Sequence, residues 1–140
     1  MIVYAETSAV LAWLLGEPRG RPVVRAFKRA ARVVASALTV AECERALVRA
    51  QATGQLGDED ARRIRRMLGR AVSTWAVVGI GDAVLARAGQ RFPVEPVRTL
   101  DAIHLATARF VADTAEAILV VSLDDRVRAN ASRLGLDVAP

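Results

Sequence analysis

Ile2-Val3-Tyr4-Ala5-Glu6-Thr7-Ser8-Ala9-Val10-Leu11-Ala12-Trp13-Leu14-Leu15-Gly16 is the stretch on which the reading of this chain turns. Ile2 to Ala5 is a short β-prone run, and after Thr7 and Ser8 the apolar set Val10, Leu11, Leu14 and Leu15 predicts a helix that ends at Gly16. A strand thus passes directly into a helix, and the acid Glu6 falls at the junction.

The alternation continues outward. An amphipathic stretch starts near Pro22, with Val23, Val24 and Phe27 on one side and Arg25, Lys28, Arg29 and Arg32 largely on the other. Val33 to Ser36 reads as a second strand. Thr39 opens a long helix to about Ala52, which Gly54 terminates, and Asp58 caps another whose Ile64, Met67, Leu68 and Val72 form one face. A third strand is expected over Trp75 to Ile80 and a helix over Asp82 to Phe92. Pro93 and Pro96 forbid regular structure up to Arg98. Thr99 restarts a helix, Ala117 to Ser122 is the most apolar strand, Asp124 to Leu134 the last helix and Leu136 to Ala139 a short final strand. Strands separated by helices predict an α/β fold with a parallel sheet covered on both faces. The exception is the helical hairpin from Thr39 to Val72, which has no strand between its arms.

With 140 residues and no linker or repeat, residues 1–140 read as a single domain that buries roughly two thirds of its unfolded surface. The single cysteine, Cys43, excludes an intramolecular disulfide and a multi-cysteine zinc site, which suits a reducing cytoplasm. The apolar opening lacks a preceding basic segment and is interrupted by Glu6, so export is not expected. No apolar run approaches the roughly 20 residues needed to cross a bilayer, so a cytoplasmic protein with no membrane partner is expected. The formal charge is +5, and all but one of the 20 basic residues are arginine, which suits bidentate phosphate contacts. An arginine-biased composition accounts for the same excess without a nucleic-acid partner.

Four carboxylates, Glu6, Glu42, Asp101 and Asp124, lie where strands end or helices begin. Each has an ordinary explanation. Thr39 and Glu42 match a capping box, Asp101 follows Thr99 in a first turn that favours negative charge, Asp124 is a candidate helix cap and Glu6 a loop residue. Their conjunction carries more, because the pocket of a doubly wound sheet lies beyond the carboxyl ends of its strands where strand order reverses. If the first and fourth strands are neighbours, Glu6 and Asp124 flank that crevice, and the helices near Thr39 and Thr99 deliver Glu42 and Asp101. Acids held about 4 Å apart repel by several kcal/mol per pair even at an effective dielectric of about 20. A divalent cation removes that conflict, and an all-oxygen shell suits Mg²⁺ or Mn²⁺. Such a site can activate water for attack on a phosphodiester.

At these residues the sequence resembles the PIN-domain ribonucleases, and specifically the VapC-type toxins of toxin-antitoxin pairs. The resemblance is carried by Val3-Tyr4-Ala5-Glu6-Thr7-Ser8-Ala9, Thr39-Val40-Ala41-Glu42, Leu100-Asp101-Ala102-Ile103-His104-Leu105-Ala106-Thr107-Ala108 and Val121-Ser122-Leu123-Asp124-Asp125-Arg126, in that order. It implies an α/β/α sandwich around a five-stranded parallel sheet of order 3-2-1-4-5 with a protruding helical hairpin. It further implies a metal-dependent endoribonuclease with Glu6, Glu42, Asp101 and Asp124 as Mg²⁺ or Mn²⁺ ligands and catalytic groups. Thr7 or Ser8 would orient the first carboxylate or a water, with Ser122 in support. A VapB-type antitoxin would wrap the toxin, RNA would be the substrate, and the toxin would be a homodimer. The family ordinarily has aspartate where this chain has Glu6, and the extra methylene displaces the carboxylate by about 1.5 Å. Because Mg²⁺ tolerates little distortion, an attenuated metal site is expected. The rival is a catalytically impaired protein of the same fold that only binds RNA or antitoxin.

His104, three residues after Asp101, shares its side of the helix, and a packing or locally hydrogen-bonded role is expected for it. Arg62, Arg63, Arg65, Arg66 and Arg70 crowd one helix, either as its solvated face or as contacts to RNA phosphates or an acidic antitoxin, with Arg62, Arg65 and Arg66 the candidates. A phospho-receiver domain also has an acidic pocket, but its acceptor aspartate and nearby lysine are missing: the third strand runs into Gly79, and Lys28 is distant.

Overall fold

The first strand, β1 (Ile2–Ala5), runs up the middle of the molecule because both of its faces are apolar. A computed structural model describes residues 1–115 and 117–140. Around β1 stand β2 (Arg32–Ser36), β3 (Ala76–Val78), β4 (Ile118–Val121) and β5 (Asp137–Ala139), all parallel, in the order β3-β2-β1-β4-β5. Tyr4 sits opposite Val34 and Val120, and Ala5 opposite Val121. Chain order reverses at β1, so the crevice above the β1–β4 pair is the switch point.

The two-residue period of the strands divides the core. Tyr4, Val34 and Val120 point to one face, where α6 (Thr99–Ala112) and α7 (Asp125–Arg133) bring Leu105 and Val127. Val3, Ala5, Ala35 and Val121 point to the other. That side is covered by α1 (Thr7–Leu14), α2 (Gly20–Arg29), α3 (Ala37–Ala52) and α4 (Asp58–Val72) through Val10, Val23, Leu47 and Ile64. The short α5 (Asp82–Ala88) packs Val84 against Ile103 and Ala106 of α6. The result is the expected α/β/α sandwich.

The hairpin of α3 and α4 is tied by Arg65, which meets Glu44 at 3.0 Å and Gln51 at 2.8 Å, and by Gln51 to Asp58 at 3.0 Å. Three local expectations need correction. The third helix starts two residues before Thr39, capped by Ser36, whose hydroxyl accepts from the Leu38 amide at 3.1 Å. The chain turns from strand to helix without a linker, so the cap falls on the last strand residue. Thr39 is fully buried inside the helix and donates to the Ala5 carbonyl at 3.2 Å, which removes the capping box and frees Glu42. The cap of α4 is Gly57, and Asp58 is its first helical residue. The helix starting at Asp82 stops at Ala88 rather than Phe92, since Gly89 follows and the residue before Pro93 is biased away from helical backbone. Among the described residues no helix is long and apolar enough to cross a membrane.

Candidate active site

Glu6 occupies the junction anticipated for it. Its amide donates to the Val121 carbonyl at 3.1 Å, extending the β1–β4 ladder by one bond, and its side chain caps α1. Only 5% of the residue is exposed. Burial of a carboxylate demands donors, and Ser122 Oγ at 2.7 Å, the Ser8 amide at 3.1 Å and a short bond from the Ser8 hydroxyl supply them. The two serines are themselves fixed: the Leu123 amide donates to Ser8 Oγ at 2.8 Å and the Asp124 amide to Ser122 Oγ at 3.1 Å.

Glu42 reaches the same edge from the second turn of α3. Its Oε1 accepts from Thr7 Oγ1 at 2.7 Å and lies 2.6 Å from His104 Nε2. The threonine hydroxyl is also 3.0 Å from that nitrogen. A carboxylate only accepts, so Nε2 donates in this contact, and Nδ1 lies 2.9 Å from the Tyr4 hydroxyl. Burial and the neighbouring Glu6 carboxylate push the Tyr4 hydroxyl well above its usual range, which keeps it a donor. Burial alone would raise Glu42, but the bonds from His104 and Thr7 outweigh it and hold the carboxyl below its ordinary value. His104 Nε2 is also 3.9 Å from Glu6 Oε1, so one imidazole stands between two acids.

Asp101 and Asp124 lie at the same edge of the sheet but are held differently. Asp101, in the first turn of α6, faces Arg98 Nε at 3.3 Å. Asp124 caps α7, accepting from the Arg126 amide at 2.9 Å and the Val127 amide at 3.0 Å. Among the described residues no group of three or more His, Cys, Asp or Glu side chains is arranged to hold a metal ion. The fold therefore links Glu6 and Glu42 through His104, and it leaves Asp101 and Asp124 with local partners.

The PIN-domain profile matches residues 3–133. The chain belongs to the PIN-domain family. A PIN relative, Ribonuclease VapC46 of Mycobacterium tuberculosis, is 35% identical over 137 residues, covering 97% of this chain and 95% of the relative. VapC20 of Mycobacterium tuberculosis, a sarcin-ricin loop cleaving toxin, superposes with a TM-score of 0.69 at 18% identity over 99% of each chain. A chain of a toxin-antitoxin complex from Klebsiella pneumoniae gives 0.65 at 18% identity, over 99% of this chain and 96% of that one. At such identities the two structures speak for the PIN fold. The resemblance to VapC-type toxins and the sheet order it implied are both borne out.

Two residues of the network escaped the sequence reading. His104 was expected to bond locally, yet its partners Tyr4, Thr7 and Glu42 are all distant in sequence and it is 1% exposed. The signal was its place one turn after Asp101 in a PIN-like block. Tyr4 gave none, since a strand aromatic reads as core. Of the arginines, Arg65 is engaged inside the hairpin, because α4 packs it against Glu44 and Gln51; Arg62 and Arg66 face solvent.

Proposed function

We propose that this chain is the toxin of a toxin-antitoxin pair and an endoribonuclease that hydrolyses RNA with Mg²⁺ or Mn²⁺. What carries the reading is the convergence of Glu6 and Glu42 on His104 at the switch point of the sheet, in a chain 35% identical to a ribonuclease. The donor set fits a hard divalent cation, because all four candidate ligands, Glu6, Glu42, Asp101 and Asp124, offer carboxylate oxygen. The chemistry supplied by such an ion is activation of water and neutralisation of charge on phosphate oxygens. The chain's own residues prepare for it. Thr7 and His104 keep Glu42 ionised, Ser8 and Ser122 fix Glu6, and Asp101 and Asp124 have only local partners to give up. Cytoplasmic location, a VapB-type antitoxin and a homodimer complete the reading.

A second reading, a catalytically impaired protein that binds RNA or antitoxin, is favoured by one observation: the longer Glu6 side chain lies on Ser8 and Ser122 rather than open at the crevice. Incubation of purified protein with structured RNAs in Mn²⁺, Mg²⁺ or chelator separates the two. Cleavage that requires metal and falls about 100-fold in Asp101→Asn supports the nuclease. Binding without cleavage, under conditions where Glu6→Asp does cleave, supports the second.

A further inference from the structure

Next to the acids, α3 and α1 border an open groove of about 390 Å³ lined by Thr7, Leu11, Glu42, Arg45, Arg49 and Leu100. Glu42, Arg45 and Arg49 are three and seven residues apart, so they form one stripe along α3 that leads from the candidate site toward the hairpin tip. Arg45 and Arg49 stand one helical turn apart, about 6 Å along the axis. Among the described residues neither guanidinium has a hydrogen-bond or ion-pair partner. Neither makes an ion pair with Glu42, whose Oε1 bonds Thr7 and His104. Arg65 pairs with Glu44, Arg63 with Asp60 and Arg98 with Asp101, while Arg62 and Arg66, equally without an ion-pair partner among the described residues, lie on α4 outside the groove lining. Leu100, 46% exposed, supplies an apolar wall across from the basic stripe.

Resting on the nuclease reading, we infer that this groove is the track for the RNA strand beside the scissile phosphate, with Arg45 and Arg49 as positioning residues that each hold one phosphate. A polyanion approaching four carboxylates is repelled, and unpaired arginines bordering them offset that repulsion where the strand must pass. The groove shares Thr7 and Glu42 with the candidate site, so a strand whose phosphate reaches the acids lies over it. Continuity with the acids favours RNA over an acidic protein segment as the occupant.

The test is binding of a fluorescent single-stranded RNA, in chelator, to Asp101→Asn protein with and without Arg45→Ala/Arg49→Ala, across a salt series. The slope of log K against log salt should fall in magnitude by about 1.4, or about 0.7 per phosphate contact, which at 0.1 M salt is about 25-fold weaker binding. Arg45→Lys/Arg49→Lys should recover most of the slope, and in active protein the alanine pair should raise KM with kcat little changed. An unchanged slope with intact folding overturns the inference, as does an alanine pair that weakens only antitoxin binding. The readout does not depend on catalysis. Failure of the wild type to cleave RNA while the slope still falls would sink the nuclease reading and leave the RNA track, and cleavage with an unchanged slope would do the reverse.

Discussion

The two halves of the acidic edge are held by different kinds of bond. Glu6 and Glu42 are fixed by side chains remote in sequence, Ser122 and His104, with Thr7 and Ser8 between them. Asp101 and Asp124 are held within three residues of themselves, by Arg98 and by the first amides of α7. Position in the fold makes the difference. Glu6, almost fully buried, must be given donors by the fold, and half-buried Glu42 meets Thr7 of α1 and His104 of α6 across the crevice, whereas half-buried Asp101 and Asp124 stand at the starts of their helices with a donor within three residues. The first pair is a preset frame and the second an adjustable one.

Removing the centre of the frame should have the largest effect. His104 is 1% exposed, and His104→Ala leaves Tyr4, Thr7 and Glu42 short of a partner, so unfolding in urea should show a loss of about 3 kcal/mol. A loss below about 1 kcal/mol would remove the distinction between the halves. Asp101→Asn should act oppositely: metal-dependent cleavage drops about 100-fold, the scale of one lost charge-stabilising group, with stability changed by no more than about 0.5 kcal/mol. Equal damage to folding would put Asp101 in the frame.

Glu6→Asp sharpens the comparison from within. The shorter side chain withdraws from Ser122 and opens toward the crevice, and cleavage should rise about tenfold; unchanged or lower activity would count against attenuation by Glu6. The smallest effect concerns pH. Because the folded protein holds the Glu42 carboxyl below its ordinary value, ionised Glu42 stabilises the fold fully above the ordinary glutamate pKa of about 4.3, and that contribution is lost as pH falls through the lower folded-state value. Melting curves of wild type and Glu42→Gln should differ by about 0.5 kcal/mol at pH 6 and converge in acid. A gap that stayed constant with pH would mean that the carboxylate's charge contributes nothing.

Much of this was legible in the chain. The β-prone run at Ile2 to Ala5, the glycines after helices and the prolines at 93 and 96 report local backbone preference, and the elements they mark are present with ends shifted by a few residues. Asp124 as a cap was readable for the same reason. The cap at Thr39 was not, because a serine at the end of a strand and a threonine three residues on are equally good caps until strand register says where the turn falls. Arg65 could not be told from Arg62 or Arg66 without the packing of α3 on α4.

Hydrophobic alternation and turn residues by themselves determined that strands and helices alternate and that acids stand at their junctions, since those patterns act over a handful of residues. Only the tertiary structure decided that His104 joins Glu6 to Glu42, that Asp101 and Asp124 keep to their own helices, and that Arg45 and Arg49 border the site. Each of those outcomes depends on which side chains from distant segments share a desolvated edge, and hydrogen-bond demand under burial is a property of the assembled sheet rather than of any stretch of it.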